Sequence, residues 1–105
     1  MEEVRKSILK FTQDRNWDQF HSPVNLAKSI VIESGELLEC FQWDDIGYDY
    51  NAVCDELADV AIYVVQLADK LGVDLEEIIR AKLKKNEVKY PISKSRDNHK
   101  KYTRI

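Results

Sequence analysis

The sequence is poor in the residues that build loops and covalent frameworks: its 105 residues include three glycines, two prolines and two cysteines. Cys40 and Cys54 are too few, and too embedded in helical patterns, to form a disulfide framework. Neither stands at metal-ligand spacing from a histidine. Long hydrophobic runs are missing as well. The most apolar segment, Val60 to Ala68, is about half the length that a bilayer span requires and contains Gln66. Arg5, Lys6 and Lys10 interrupt the first apolar stretch, so no signal peptide is expected and the expected compartment is the cytoplasm. Strand-like alternation of useful length is absent, and no internal repeat is visible, which leaves an all-α chain. Charge of one sign is not in excess either: the formal net charge of −3 argues against binding a nucleic-acid polymer.

What is present is helical periodicity. Residues 2–16 read as an amphipathic helix with Val4, Ile8 and Phe11 on one side. A loop follows, Asn16 to Pro23, carrying Trp17, Phe20 and His21. Ser22-Pro23 is an N-cap followed by proline at the first helical position, which opens a second helix expected to reach Trp43. Its inward side is read as Leu26, Ala27, Ile30, Val31, Leu37, Leu38 and Phe41. Gly35 sits inside it at a cost of about 1 kcal/mol against alanine, leaving room for a close approach. Residues 43–50 form a connection. A third helix, Asn51 to Leu71, is apolar nearly all round in its second half, which predicts that a second copy of the chain covers it. Gly72 closes it, Asp74 caps a fourth helix to about Tyr90 with Leu75, Ile78, Ile79 and Leu83 inward, and Pro91 ends the body. The expected organisation is a helical domain over 1–91 and a basic tail over 92–105 with a local charge of +4.

Against this background, four acids stand out. Residues three apart share a helix face, so Glu33 with Glu36, and Glu56 with Asp59, each place two like charges side by side next to segments that must be buried. Either pair alone is an ordinary solvated face. Both together, with the helices antiparallel, converge four carboxylates on one point, an arrangement that suits Mg²⁺ shared with substrate phosphates. A di-iron bundle would need Glu-x-x-His on two helices, whereas Glu39 and Ile62 follow Glu36 and Asp59 at that spacing.

The flanking residues make the pattern specific. Glu33-x-x-Glu36 and Glu56-x-x-Asp59 sit with Arg15-Asn-Trp-Asp-Gln-Phe-His21, Phe41-Gln-Trp43, Glu56-Leu-Ala-Asp-Val-Ala-Ile-Tyr63, Asn86 with Lys89-Tyr-Pro91, and the ending Lys100-Lys-Tyr-Thr103. Over nearly its whole length the chain resembles the MazG-like, all-α nucleoside triphosphate pyrophosphohydrolases. The resemblance implies a four-helix MazG-like bundle completed by dimerisation, or a dimer of dimers. It implies hydrolysis of (d)NTP to (d)NMP and pyrophosphate, a house-cleaning activity on the nucleotide pool with dCTP-like or dATP-like substrates. It assigns Mg²⁺ to Glu33, Glu36, Glu56 and Asp59. Trp17, Phe20, His21 and Trp43 are assigned to the nucleotide, and Tyr63, Lys82 and Asn86 to its sugar and phosphates. Glu39 extends the acidic row, and Lys101 in the tail is a further candidate. Two rivals remain: a relative acting on another phosphoanhydride such as phosphoribosyl-ATP, and a non-catalytic helical module whose acidic face docks a basic partner.

Overall fold

Ser22 accepts a hydrogen bond from the Asn25 N–H at 3.1 Å, and Pro23 occupies the position where a missing N–H costs nothing, so the second helix begins where the sequence says it should. A computed structural model describes residues 1–100 and Thr103. Its described residues form α1 (Glu2–Asp14), a 3-10 turn (Asp18–Phe20), α2 (Pro23–Glu39), α3 (Tyr50–Lys70), α4 (Leu75–Lys89) and α5 (Ile92–Ser95), with no strand among them. The chain divides into two units, Met1 to Gly72 and Val73 onward.

In the first unit α2 packs chiefly against α3, with α1 beside α3. Leu26 and Gln66 line one cavity, while Glu33, seven residues after Leu26, meets Asp59, seven residues before Gln66. The two helices are therefore antiparallel. Asp49 caps α3 by accepting the Asn51 and Ala52 N–H groups. Gly72 ends it with φ at 68°, a left-handed conformation that glycine adopts without steric cost. The core is small. Leu26 is fully buried, joined by Val65 and Ala68 and by two polar side chains, Thr12 and Gln66. Leu26→Ala is expected to cost about 2–5 kcal/mol, read as a lower denaturant midpoint at constant slope.

In the second unit Asp74 accepts the Glu77 N–H at 3.0 Å and opens α4. After Pro91 the chain makes the four-residue α5, an element that the sequence did not suggest.

Three expectations are corrected. The second helix ends at Glu39 rather than Trp43. Beyond it the Phe41 and Gln42 N–H groups bond back three residues, to Leu38 and Glu39, while the Phe41 ring meets Tyr48 edge-on with centroids 4.7 Å apart. That contact with the far end of the connection draws the chain off the helical path. The first helix likewise ends at Asp14, where Asn16 turns the chain with φ at 54°. The inward lists also overreach: Ala27, Val31, Leu38, Ile78, Ile79 and Leu83 are exposed, because periodicity marks an apolar stripe without supplying what covers it.

Candidate active site

The antiparallel pairing of α2 and α3 decides which acids meet. Carboxylate oxygens of Glu33, Glu56 and Asp59 lie within 4.8 Å of one another. Glu36, one turn beyond Glu33, stays outside this tightest group but acts on two of its members. Glu33 is pushed up to about 7, first by hydrogen bonding with the Glu36 carboxyl, then by burial, then by the charges of Glu36, Asp59 and Glu56. Burial is the first cause of the rise at Glu56, followed by the charge of Glu36. The cluster therefore holds more negative charge than its surroundings can neutralise.

Two oxygens make the deficit explicit. Glu33 Oε2 and Glu56 Oε2 are buried without a hydrogen-bond partner. A buried acceptor with nothing to accept from carries the full cost of its lost hydration. A hard divalent cation relieves both oxygens at once, since it takes carboxylate ligands from several sides. The donor set is all oxygen, which favours such an ion over softer metals.

The remaining candidates fall in different places. Tyr63 is partly buried on α3, one turn beyond Asp59. Glu39 is exposed on the last turn of α2 and is not part of the cluster. Trp17, Phe20 and His21 all belong to the segment around the 3-10 turn. The Trp17 ring meets Phe11 edge-on at 5.7 Å and the Trp17 backbone N–H donates to the Thr12 carbonyl, while Arg15 lies over the other aromatic, its guanidinium 3.7 Å from the Phe11 centroid. Trp17 remains 45% exposed, so the contact with Phe11 leaves part of the indole open. Asp18 pairs with Lys70 at 2.6 Å, fastening this segment to the end of α3. Phe20 is exposed, and His21 lines a cavity with Leu9, Thr12, Leu26, Gln66 and Lys70.

Trp43 is 90% exposed in the connection between α2 and α3. Its loop is nonetheless ordered from within: Asp44 Oδ1 accepts the N–H groups of Ile46 and Gly47, and these two bonds, Gly47's first, hold the Asp44 carboxyl below its ordinary range. A side chain at position 47 would displace the Asp44 carboxylate from this turn. At Gly35, by contrast, an added Cβ would meet open space. Lys82 and Asn86 lie one turn apart on α4 in the second unit, the former exposed and the latter partly buried. Lys101 lies outside the described residues.

Sequence reasoning missed the buried pair Thr12 and Gln66, bonded across 54 positions of the chain. The signal was available in part: Gln66 is the lone polar residue in the run from Val60 to Ala68, and a buried amide requires a partner.

The site thus defines an all-helical protein with an acidic cluster, of the donor set a hard cation takes, on two antiparallel helices. A model of the MazG-like family matches residues 28–105. The chain belongs to that family. Human dCTP pyrophosphatase 1 (Homo sapiens) is 37% identical over 114 residues, covering 100% of this chain and 67% of that protein. The Bos taurus dCTP pyrophosphatase 1 is 38% identical over 112 residues, covering 98% and 66%. The chain thus spans about two thirds of the length of these curated relatives. The crystal structure of a pyrophosphatase from Archaeoglobus fulgidus DSM 4304 superposes with a TM-score of 0.81 at 39% identity, covering 87% of this chain and 92% of that one.

Proposed function

We propose that this chain is a Mg²⁺-dependent nucleoside triphosphate pyrophosphohydrolase that cleaves (d)NTP to (d)NMP and pyrophosphate, with dCTP-like or dATP-like substrates. The observation that carries the reading is the pair of buried, unpartnered carboxylate oxygens, on Glu33 and Glu56, inside a cluster completed by Asp59, with Glu36 beside it. Relatives that carry the name dCTP pyrophosphatase support the substrate class.

In this account Glu33, Glu36, Glu56 and Asp59 hold the cation. The bound ion would neutralise the triphosphate oxygens and lower the pKa of water at the site. The residues of the chain supply the rest. Water attacks the α-phosphorus, its oxygen forming the new bond while the bond from the α-phosphorus to the bridging oxygen breaks. Glu33 or Glu36 takes the water's proton, and pyrophosphate leaves with its negative charge; by family resemblance, Lys82 and the lysines of the tail 92–105 are the candidates to meet it. Most of the rate then comes from positioning and electrostatics, as is usual for phosphoryl chemistry. Trp17 and Trp43 give stacking faces worth roughly 1–3 kcal/mol per base.

The exposed apolar side chains of α2 and α3, Val31, Leu38, Leu57 and Ile62 among them, suit burial against a second copy, in a dimer or a dimer of dimers. None of the described helices is long and apolar enough to cross a membrane, and the free nucleotide pool of the cytoplasm is the proposed setting.

The test is hydrolysis of a panel of dNTPs and NTPs with Mg²⁺, resolving pyrophosphate from orthophosphate, for the wild type and Glu56→Ala. Monophosphate plus pyrophosphate, lost in the variant, is the expected outcome. A folded, metal-loaded protein that turns over no nucleotide would instead favour the acidic docking module.

A further inference from the structure

We propose that Gln66 selects the nucleobase by accepting a hydrogen bond from an exocyclic amino group, a role that rests on the pyrophosphohydrolase reading above. Its amide is oriented by a short relay. The Thr12 hydroxyl donates to the Ile8 carbonyl at 3.0 Å, and Gln66 Nε2 donates to Thr12 Oγ1 at 2.9 Å. A hydroxyl has one hydrogen, and here the carbonyl takes it, so Thr12 can only accept from Gln66. The nitrogen of the amide is thereby fixed on Thr12, and Oε1 is turned away from it.

That Oε1 is buried and has no partner, in a side chain only 7% exposed. The charged groups beside it are already engaged: Asp69 with Arg5 and Lys70 with Asp18, each at 2.6 Å. Gln66 lines a cavity of about 40 Å³, in whose wall His21 also stands. A space of that size admits a water or an amino group rather than a ring. An unfilled acceptor beside it calls for a donor.

Position along the helix says which donor. Gln66 follows Asp59 by seven residues, two turns on the same face of α3 and roughly 10 Å at 1.5 Å per residue. Tyr63 lies between them on that face. Triphosphate held at the carboxylates would therefore place the sugar at Tyr63 and the far edge of the base at Gln66, since this is the reach of a nucleoside. Cytosine or adenine presents an amino hydrogen there. Uracil or thymine presents a keto oxygen, setting two acceptors face to face, and a buried site of this kind rejects the analogue that lacks the matching group.

The experiment uses dCTP and dUTP, which differ at C4, amino against keto, and in the hydrogen that N3 of uracil carries. The ratio of their kcat/KM values is measured for the wild type, Gln66→Met and Thr12→Val, and the ratio of Kd values is measured for the products dCMP and dUMP. The wild type is expected to favour the amino base at least about tenfold in both, matching the cost of an unpaired buried group. Gln66→Met, which keeps the volume but loses the acceptor, should bring both ratios near one. Thr12→Val frees the amide to rotate and should lower them by raising the affinity for the keto base. Equal ratios in the wild type, or variants that weaken both bases alike, would overturn the role of the amide. Preference for dCMP without hydrolysis of either triphosphate would keep that role and overturn the pyrophosphohydrolase reading instead.

Discussion

Glu33→Gln is expected to cut hydrolysis by orders of magnitude while making the metal-free protein more stable at pH 8. The carboxylate sits against Glu36, Asp59 and Glu56, and one of its oxygens is buried without a partner. Glutamine keeps the shape, removes one of the converging charges and supplies a donor to its neighbours. Repulsion falls, so the thermal midpoint without metal should rise. Activity should drop by about 10²–10³-fold or more, the usual scale for losing one preorganised electrostatic contact with a reacting group. A residue of purely structural value would move stability and activity in the same direction. An acidic docking surface would show the stability gain with no metal-dependent activity to lose.

The second large effect is in pH. The ordinary carboxylate value is 4.5, and in the fold Glu33 is raised to about 7, with Glu56 shifted in the same direction. A carboxyl whose folded value lies above its unfolded one binds its proton more tightly in the folded state. That contribution to stability is complete below 4.5 and is lost as pH rises through about 7. The metal-free protein should therefore lose thermal stability between about pH 5 and 8, the reverse of ordinary acid denaturation. Added Mg²⁺ should restore it at pH 8, where the carboxylates are free to bind. Calorimetry in buffers of different ionisation enthalpy should detect protons released on metal binding near pH 6 and almost none near pH 8.5.

Much of this was written in local sequence. Ser22-Pro23, Asp74 and Gly72 mark helix ends through bonds to residues within a few positions, and each acts as its residue type requires. The acidic pairs were legible for the same reason, because three-residue spacing settles which side chains share a face. What depended on distant partners was not. The early end of α2 follows from Phe41 meeting Tyr48 and from the Asp44 turn. The exposure of Val31, Leu38 and the apolar side chains of α4 reflects what is absent around them, which no periodicity encodes. Four acids were expected to converge equally, yet three form the tight group and Glu36 stands beside it, a distinction set by the register of α2 on α3. Thr12 and Gln66 pair between α1 and α3, so only the isolation of Gln66 in an apolar run pointed to it.

In the proposed reaction the carboxylate cluster directs water to the α-phosphorus. This step is tested most directly by hydrolysing dCTP in ¹⁸O-labelled water with Mg²⁺ and weighing the products. One labelled oxygen is expected in the nucleoside monophosphate and none in the pyrophosphate. Label in pyrophosphate, or release of orthophosphate in its place, would contradict it.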